Sequence, residues 1–420
     1  MTGQAMKAEI IAIGSEMLTP DRIDTNSLYL TRKLTEAGFA VHLKSVVGDS
    51  VEDIENLLRA ALHRSRCVVL SGGLGPTEDD CTRAGAAKAL QRTLSTDTHV
   101  LEALRLRFAR RGVPMARINE RQAEIIAGAE ILANPVGTAP GMWIEEKGAW
   151  LILLPGPPRE LTAMFESQVV PRLAGLGSGR RLEKRSLGIH GLTESEVDTR
   201  IASVYRSYPG IQTTVLAAAG CISVWLQQWR SLDEGVSELE ELSHRIGRTL
   251  GDYVFTTADE SLEQVVGRLL CESGQSLAVA ESCTAGMIGA AISRVPGSSA
   301  YFQGGVICYS NELKIDLCRV PPDLLERHGA VSAEVAEALA QGIRSMARST
   351  IGLSVTGIAG PSGGSEQKPV GLVFIGLADA TRCTHLRRIF PGDRQTVREL
   401  TTNAALGRLR RFLMPGETIL

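Results

Sequence analysis

Short apolar runs that end in clusters of glycine, serine and threonine recur along this chain of 420 residues, with helical stretches between them. Glu9–Ile13, Val41–Val47 and Cys67–Leu70 read as strands, and Asp24–Ala37 and Val51–Arg64 read as the helices that connect them. Few folds accommodate that order, because each helix must carry the chain back to the same edge of a sheet. It predicts an α/β fold with a parallel sheet and helices on both faces. Asp24 is placed to cap the first helix and Gly38 to stop it. Further helices are expected near 79–91, 97–111 and 117–127. A last strand is expected at Trp150–Leu154, and then a helix that Pro157 opens from its first position.

The Gly/Ser-rich stretch Leu173–Arg181 (LAGLGSGRR) reads as a linker. Residues 182–256 follow as strand, helix, strand, strand, helix, strand, a small α+β unit whose middle strands meet at Ala217–Gly220. The last third opens with a helix at Leu262–Cys271. It then alternates strands at 276–280, 302–309, 351–356, 371–378 and 383–389 with helices at 284–293, 332–347 and 393–413. Three domains are expected: 1–172, 173–256 and 257–420.

The charge balance, 45 basic against 47 acidic residues, supplies no global field for holding nucleic acid. The longest apolar runs fall well short of the about 20 residues that span a bilayer, and the start reads as a strand rather than a signal peptide. Eight cysteines are scattered without a Cys-x-x-Cys pair, as reduced thiols in a cytoplasmic protein would be.

Two regions carry chemistry. In the first domain, Gly14–Leu18 follows the first strand, and Ser71-Gly-Gly-Leu-Gly-Pro-Thr-Glu-Asp-Asp80 follows the third. Gly72, Gly73 and Gly75 let backbone amides face a phosphate where a helix begins, with Thr77 beside them. Asp79, Asp80 and Glu16 offer hard oxygen ligands for a divalent cation; the alternative is a tight turn whose acids cap the helix. In the last third, AVAESCTAG (278–286), GSSAYFQGGVICYSNELK (297–314) and TGIAGPSGGSEQKPVG (356–371) each abut an apolar run. They hold Ser282, Ser298, Ser299, Tyr309 and Lys314 but no histidine, which suggests nucleophile activation of the Ser-Lys type. Cys283 has no base nearby in sequence and reads as a structural thiol. Arg394, at a helix start, is an anion candidate, and Lys368 divides evenly between phosphate contact and a solvated loop.

GSEML…DTNS, SGGLGPTEDDCTR, NPVGTAPG and LPGPPREL resemble the N-terminal domain of the CinA (competence/damage-inducible protein A) family, which is similar to molybdopterin-binding folds. ESCTAG, the 297–314 segment, HGAVS and TGIAGPSGGSEQKPVG resemble that family's C-terminal amidase domain. The resemblance implies a hydrolase of pyridine-nucleotide recycling. Its C-terminal domain would convert nicotinamide mononucleotide to nicotinate mononucleotide and ammonia without a cofactor. Its N-terminal domain would be an ADP-ribose pyrophosphatase dependent on a divalent metal. A KH-type middle domain and a homodimer are also implied. Ser282, Ser299, Tyr309, Lys314 and Thr356 fall at matching positions; Gly305, Asn311, Gly357, Lys368 and Arg394 are the candidates for binding substrate. Ser299 is favoured over Ser282 as the nucleophile. The competing readings are a molybdopterin-type binding protein and a competence factor acting on nucleic acid. The absence of a Gly-x-x-Gly clamp in the middle domain argues against the latter. Ala285 stands where the family has glycine, and little loss is expected if that position is helical.

Overall fold

The computed structural model describes residues 5–218, 220–231, 235 and 237–414. Contacts gather the chain into two compact units, Met1–Glu183 with Trp229–Gly235, and Lys184–Gln228 with Val236–Leu420.

The first unit opens with β1 (Met6–Ile13), α1 (Thr25–Glu36), β2 (Phe39–Val47), α2 (Val51–Arg64), β3 (Cys67–Ser71) and α3 (Thr82–Leu90). Asp24 accepts from the Ser27 amide and Ser50 from the Asp53 amide, so both helix starts are capped by side chains. β4 (Leu94–Thr96), α4 (Thr98–Arg110), β5 (Glu124–Ile126), β6 (Glu130–Leu132), β7 (Gly141–Glu146), β8 (Ala149–Leu154), α5 (Pro158–Met164) and α6 (Val170–Leu173) complete it. The sheet order is β2-β1-β3-β8-β7-β6, with the first four strands parallel, β7 antiparallel to β8, and β6 antiparallel to β7. Strand periodicity sorts the core: Ile11, Ile13, Val68 and Leu70 pack with α2 and α3, while Ala8, Ile10, Cys67 and Val69 pack with α1 and α5.

Three expectations need correction here. The sheet is mixed, because the turn at Lys147 and Gly148, both at positive φ, folds β7 back on β8. The helix expected over 117–127 is a 3₁₀ turn, Arg117–Ala123, followed by β5. Ile125 and Ile126 are buried there, and β5 pairs antiparallel with β4, which an α-helix would forfeit. Pro157 is the cap of α5, and Pro158 holds the first helical position.

The segment β9 (Arg180–His190), α7 (Glu194–Tyr205), β10 (Gln212–Ala218), β11 (Cys221–Ser231), α8 (Glu238–Leu250), β12 (Val254–Thr256) has the expected order and forms a four-stranded sheet, β10-β11-β9-β12. The chain continues with α9 (Leu262–Glu272), β13 (Leu277–Glu281), α10 (Met287–Ser293), β14 (Phe302–Ile307), α11 (Asn311–Cys318), α12 (Pro322–His328), α13 (Ala333–Ala347), β15 (Ile351–Gly357), β16 (Leu372–Ala378), β17 (Cys383–Ile389) and α14 (Arg394–Leu413). Its five-stranded sheet runs β14-β13-β15-β16-β17, with β14, β13 and β15 parallel. Leu277 and Val279 face a core that includes residues of α9, α10 and α14, and Ala278 and Ala280 face one that includes residues of α11, α12 and α13. The carboxyl ends of the three parallel strands therefore open on one edge of the sheet, where α/β folds bind ligands. No helix among the described residues is long and apolar enough to cross a membrane.

Candidate active site in the C-terminal domain and phosphate pocket in the N-terminal unit

β13 delivers Ser282 to that carboxyl edge, and the Ser282 amide is tied to Val355 O of β15 at 3.1 Å. The chain next turns sharply through Cys283–Gly286 into α10. Glu281, buried at the end of β13, holds this turn. Its Oε2 accepts from Thr284 Oγ1 at 2.7 Å, Gly286 N at 3.0 Å and Ile288 N at 3.1 Å, and its Oε1 accepts from Gly289 N at 2.8 Å. The amides of Cys283 and Thr284 donate to no protein oxygen among the described residues and face only the Cys283 sulfur, a weak acceptor.

Lys314 reaches the same edge from α11, whose start Ser310 caps by accepting from Leu313 N. Only 1% of Lys314 is exposed. Its Nζ donates to Cys308 O at 3.0 Å, Tyr309 O at 3.1 Å and Ser310 O at 3.4 Å, and lies 3.3 Å from Ser282 Oγ. Every one of these partners is a neutral oxygen. Burial, which penalises the ammonium form, holds its pKa below the usual lysine value. Burial also pushes the Cys283 thiol up to about 12, so it stays protonated, in keeping with its reading as a structural thiol. The exposed ring of Tyr309 extends the site outward: its Oη accepts from Arg394 Nη2 at 2.9 Å, and Arg394 Nη1 donates to Gly360 O at 2.9 Å.

Ser299 is not part of this arrangement, which corrects the preference for it over Ser282. It is exposed in the 3₁₀ turn Ser298–Ala300, just ahead of β14. β14 runs parallel to β13 with Leu277 opposite Phe302 and Glu281 opposite Ile307. Ser299 therefore lies at the amino edge of the sheet, separated from Ser282 by about 13 Å of strand at the usual rise per residue. Thr356 is buried and donates to Ala330 O at 2.7 Å, pinning the loop before α13. Lys368 Nζ donates to His328 O at 2.7 Å. Gly305 lies within β14 and Gly357 ends β15; a Cβ at either would meet Val279 or Val373 within 2.7 Å, so close strand packing accounts for both glycines. Asn311 is the exposed first residue of α11. Two residues escaped the sequence reading: Glu281 and the Thr284 hydroxyl that binds it. An acid closing an otherwise apolar strand was the available signal.

Ala285 has φ +49°, ahead of α10 rather than inside it, so the expectation of a helical position does not hold. Left-handed backbone costs a residue with a Cβ about 1–2 kcal/mol, and glycine recovers part of this while loosening the unfolded chain. Ala285→Gly is expected to raise stability by about 0.5–1 kcal/mol, read as a higher urea midpoint; an unchanged or lower midpoint contradicts the strain.

The first unit holds a cleft of about 620 Å³ at the carboxyl ends of β1, β3 and β8. Gly72 and Gly73 have φ +112° and +63°, and a Cβ there would meet Ile13 O at 2.1 Å or Thr82 Oγ1 at 2.2 Å. The Gly73 and Leu74 amides donate to no protein oxygen among the described residues, leaving two donors for a phosphate. Asp80 is occupied with the loop itself: Oδ1 accepts from Gly75 N at 2.7 Å, and Oδ2 from Thr77 N at 2.9 Å and Thr77 Oγ1 at 2.5 Å. Thr77 thus serves Asp80 and does not line the cleft. Among the described residues, no group of three or more acidic, histidine or cysteine side chains converges as a metal cage, so Glu16, Asp79 and Asp80 do not form one. They do fit the sparser arrangement in which one or two carboxylates share a cation with substrate phosphates. Six carboxylates line the cleft (Glu16, Asp24, Asp49, Asp79, Asp80 and Glu160) against one arginine, Arg22. An anionic ligand therefore needs a cation to accompany it.

Comparison with known proteins places both domains in described families. Residues 259–413 match the CinA C-terminal domain, and residues 9–175 match the family described as a probable molybdopterin binding domain. A CinA-like protein of Solibacter usitatus is 48% identical over 97% of this chain and 98% of its own length. A putative competence-damage inducible protein of Desulforudis audaxviator is 42% identical over 97% of this chain and 99% of its own length. A crystal structure of the protein CinA, of unknown function, from Thermoplasma acidophilum covers 40% of this chain and 98% of its own, at 33% identity and a TM-score of 0.38. With relatives matching end to end and both domains in place, the chain belongs to the CinA-like protein family.

Proposed function

We propose that the C-terminal domain hydrolyses the carboxamide of nicotinamide mononucleotide to nicotinate mononucleotide and ammonia. The observation that carries this reading is the buried Lys314 Nζ, 3.3 Å from Ser282 Oγ and surrounded by neutral oxygens. Burial makes the unprotonated amine accessible, and its lone pair takes the Ser282 proton. Ser282 Oγ bonds to the carboxamide carbon while the C=O electron pair moves onto oxygen. The Cys283 and Thr284 amides are the donors available to that oxyanion. Collapse breaks the C–N bond, and the Lys314 ammonium returns its proton to the departing ammonia. Water gives a proton to the same amine and adds to the ester carbon; the bond to Ser282 then breaks, Oγ takes that proton back from Lys314, and the carboxylate is released. Arg394 and Tyr309, farther out, suit the ribose phosphate. No step calls for a metal. A homodimer is part of this proposal, and sedimentation checks it.

The pH profile tests the base. kcat/KM is expected to rise with pH through a lysine pKa below the ordinary 10.5 and then level off, because only the unprotonated amine accepts the proton. A profile that is flat from about pH 6 to 10 contradicts that role.

For the N-terminal unit we propose hydrolysis of the ADP-ribose pyrophosphate with a divalent cation. The open Gly73 and Leu74 amides and the acidic lining support it. When bound, the cation would neutralise charge on the phosphates, with Glu16, Asp79 or Asp80 as its protein ligands. The same acidic lining disfavours a molybdopterin phosphate bound without a cation.

A further inference from the structure

We infer that Glu281 is a positioning residue of the amidase site, fixing both the nucleophile turn and the lysine cradle. The inference rests on the amidase reading above. A buried carboxylate is costly to keep unless every lone pair is used, and here four neutral donors use them. Those donors come from Thr284, Gly286, Ile288 and Gly289, so one side chain closes the chain from Ser282 to Gly289 into a ring. The direction in which Ser282 leaves β13 is set by that ring.

The main chain of Glu281 serves the other half of the site. Its carbonyl accepts the Cys308 amide at 2.9 Å. Cys308 O, in turn, accepts from Lys314 Nζ at 3.0 Å, as do the carbonyls of Tyr309 and Ser310 that follow. Glu281 thus links the segment carrying Ser282 to the segment cradling Lys314, and the 3.3 Å approach of Oγ to Nζ depends on both. An offset of about 1 Å between reacting groups can cost 10²-fold in rate, so a change that leaves the fold intact is enough to impair the dyad.

Glu281→Gln conserves volume but cannot accept on both sides: its amide NH₂ must face either the Gly289 N–H or the other three donors. Thr284→Val removes one donor and leaves three. Two readouts distinguish positioning from bulk stability in the full-length protein. The first is covalent labelling by a fluorophosphonate probe, in which Ser282 Oγ bonds to phosphorus, fluoride leaves and Lys314 takes the proton; mass spectrometry locates the adduct. The second is the split between kcat and KM for nicotinamide mononucleotide. Glu281→Gln is expected to slow labelling and lower kcat by about 10²-fold, with KM within about twofold, at a temperature below its lowered thermal midpoint where circular dichroism shows it folded. Thr284→Val should lose about 3–10-fold, the smaller disturbance.

Labelling and kcat at unmodified rates in folded Glu281→Gln overturn the inference. If Glu281→Gln fails to fold, Thr284→Val decides: slower labelling below its midpoint, with the fold intact, supports positioning, and unchanged labelling overturns it. Labelling at Ser282 without ammonia release from nicotinamide mononucleotide removes the substrate assignment and leaves Glu281 to be judged on labelling alone. A Ser282 that the probe never labels in the unmodified protein overturns both.

Discussion

Lys314→Met and Ser282→Ala should each lower deamidation by at least about 10²-fold, or about 2.7 kcal/mol of barrier, while circular dichroism and ADP-ribose hydrolysis stay unchanged. The size follows from interdependence. A serine hydroxyl without its base is a poor nucleophile, and an amine without the hydroxyl has no proton to take, so the double variant should lose little more than either single one. Methionine fills the lysine's volume, which keeps the α11 packing and isolates the lost amine. Ser299→Ala should leave turnover near normal, since that residue lies at the opposite edge of the sheet. Near-normal turnover in Lys314→Met would overturn the dyad. A collapse in Ser299→Ala would show that the nucleophile had been misassigned.

Asp80→Ala should reduce ADP-ribose hydrolysis by at least about 10²-fold and leave deamidation untouched. Two losses combine at this residue. Its carboxylate latches the loop through Gly75 N, Thr77 N and Thr77 Oγ1, the same loop that exposes the Gly73 and Leu74 amides. It is also one of the six carboxylates whose charge draws a cation into the cleft beside a bound pyrophosphate. Hydrolysis at the unmodified rate in Asp80→Ala, or full activity in excess chelator, contradicts this assignment.

Much of the fold was legible because its strands are unbroken apolar runs and its helices carry explicit caps. β1, β3, β13 and β15 lie within a few residues of their expected positions, and Asp24 caps α1 as its place in the sequence implied. The β5 segment was misread because Glu124–Ile126 suits either period at three residues, and only its partner β4 settles the matter. Helix α11 was missed although Ser310 stands at its start and Pro321 and Pro322 beyond its end, so Lys314 could not be placed on a buried helix face.

At the site, residue types were readable and their grouping was not. Ser282 and Ser299 are equivalent as hydroxyls beside glycine-rich turns, and only the register of β14 on β13 sends one to each edge of the sheet. Glu281 was hidden for a different reason. Its partners are backbone amides, which leave no trace in side-chain spacing. The acids of the first unit misled through their adjacency: Asp79 and Asp80 are neighbours in sequence, yet Asp80 turns inward to its own loop.

The amidase assignment is tested most directly by incubating the full-length protein with nicotinamide mononucleotide in excess EDTA and quantifying both products. The account predicts ammonia and nicotinate mononucleotide in equal amounts, at the same rate with and without chelator, and neither product from Lys314→Met. No ammonia from the unmodified protein, or a rate abolished by EDTA, would contradict it.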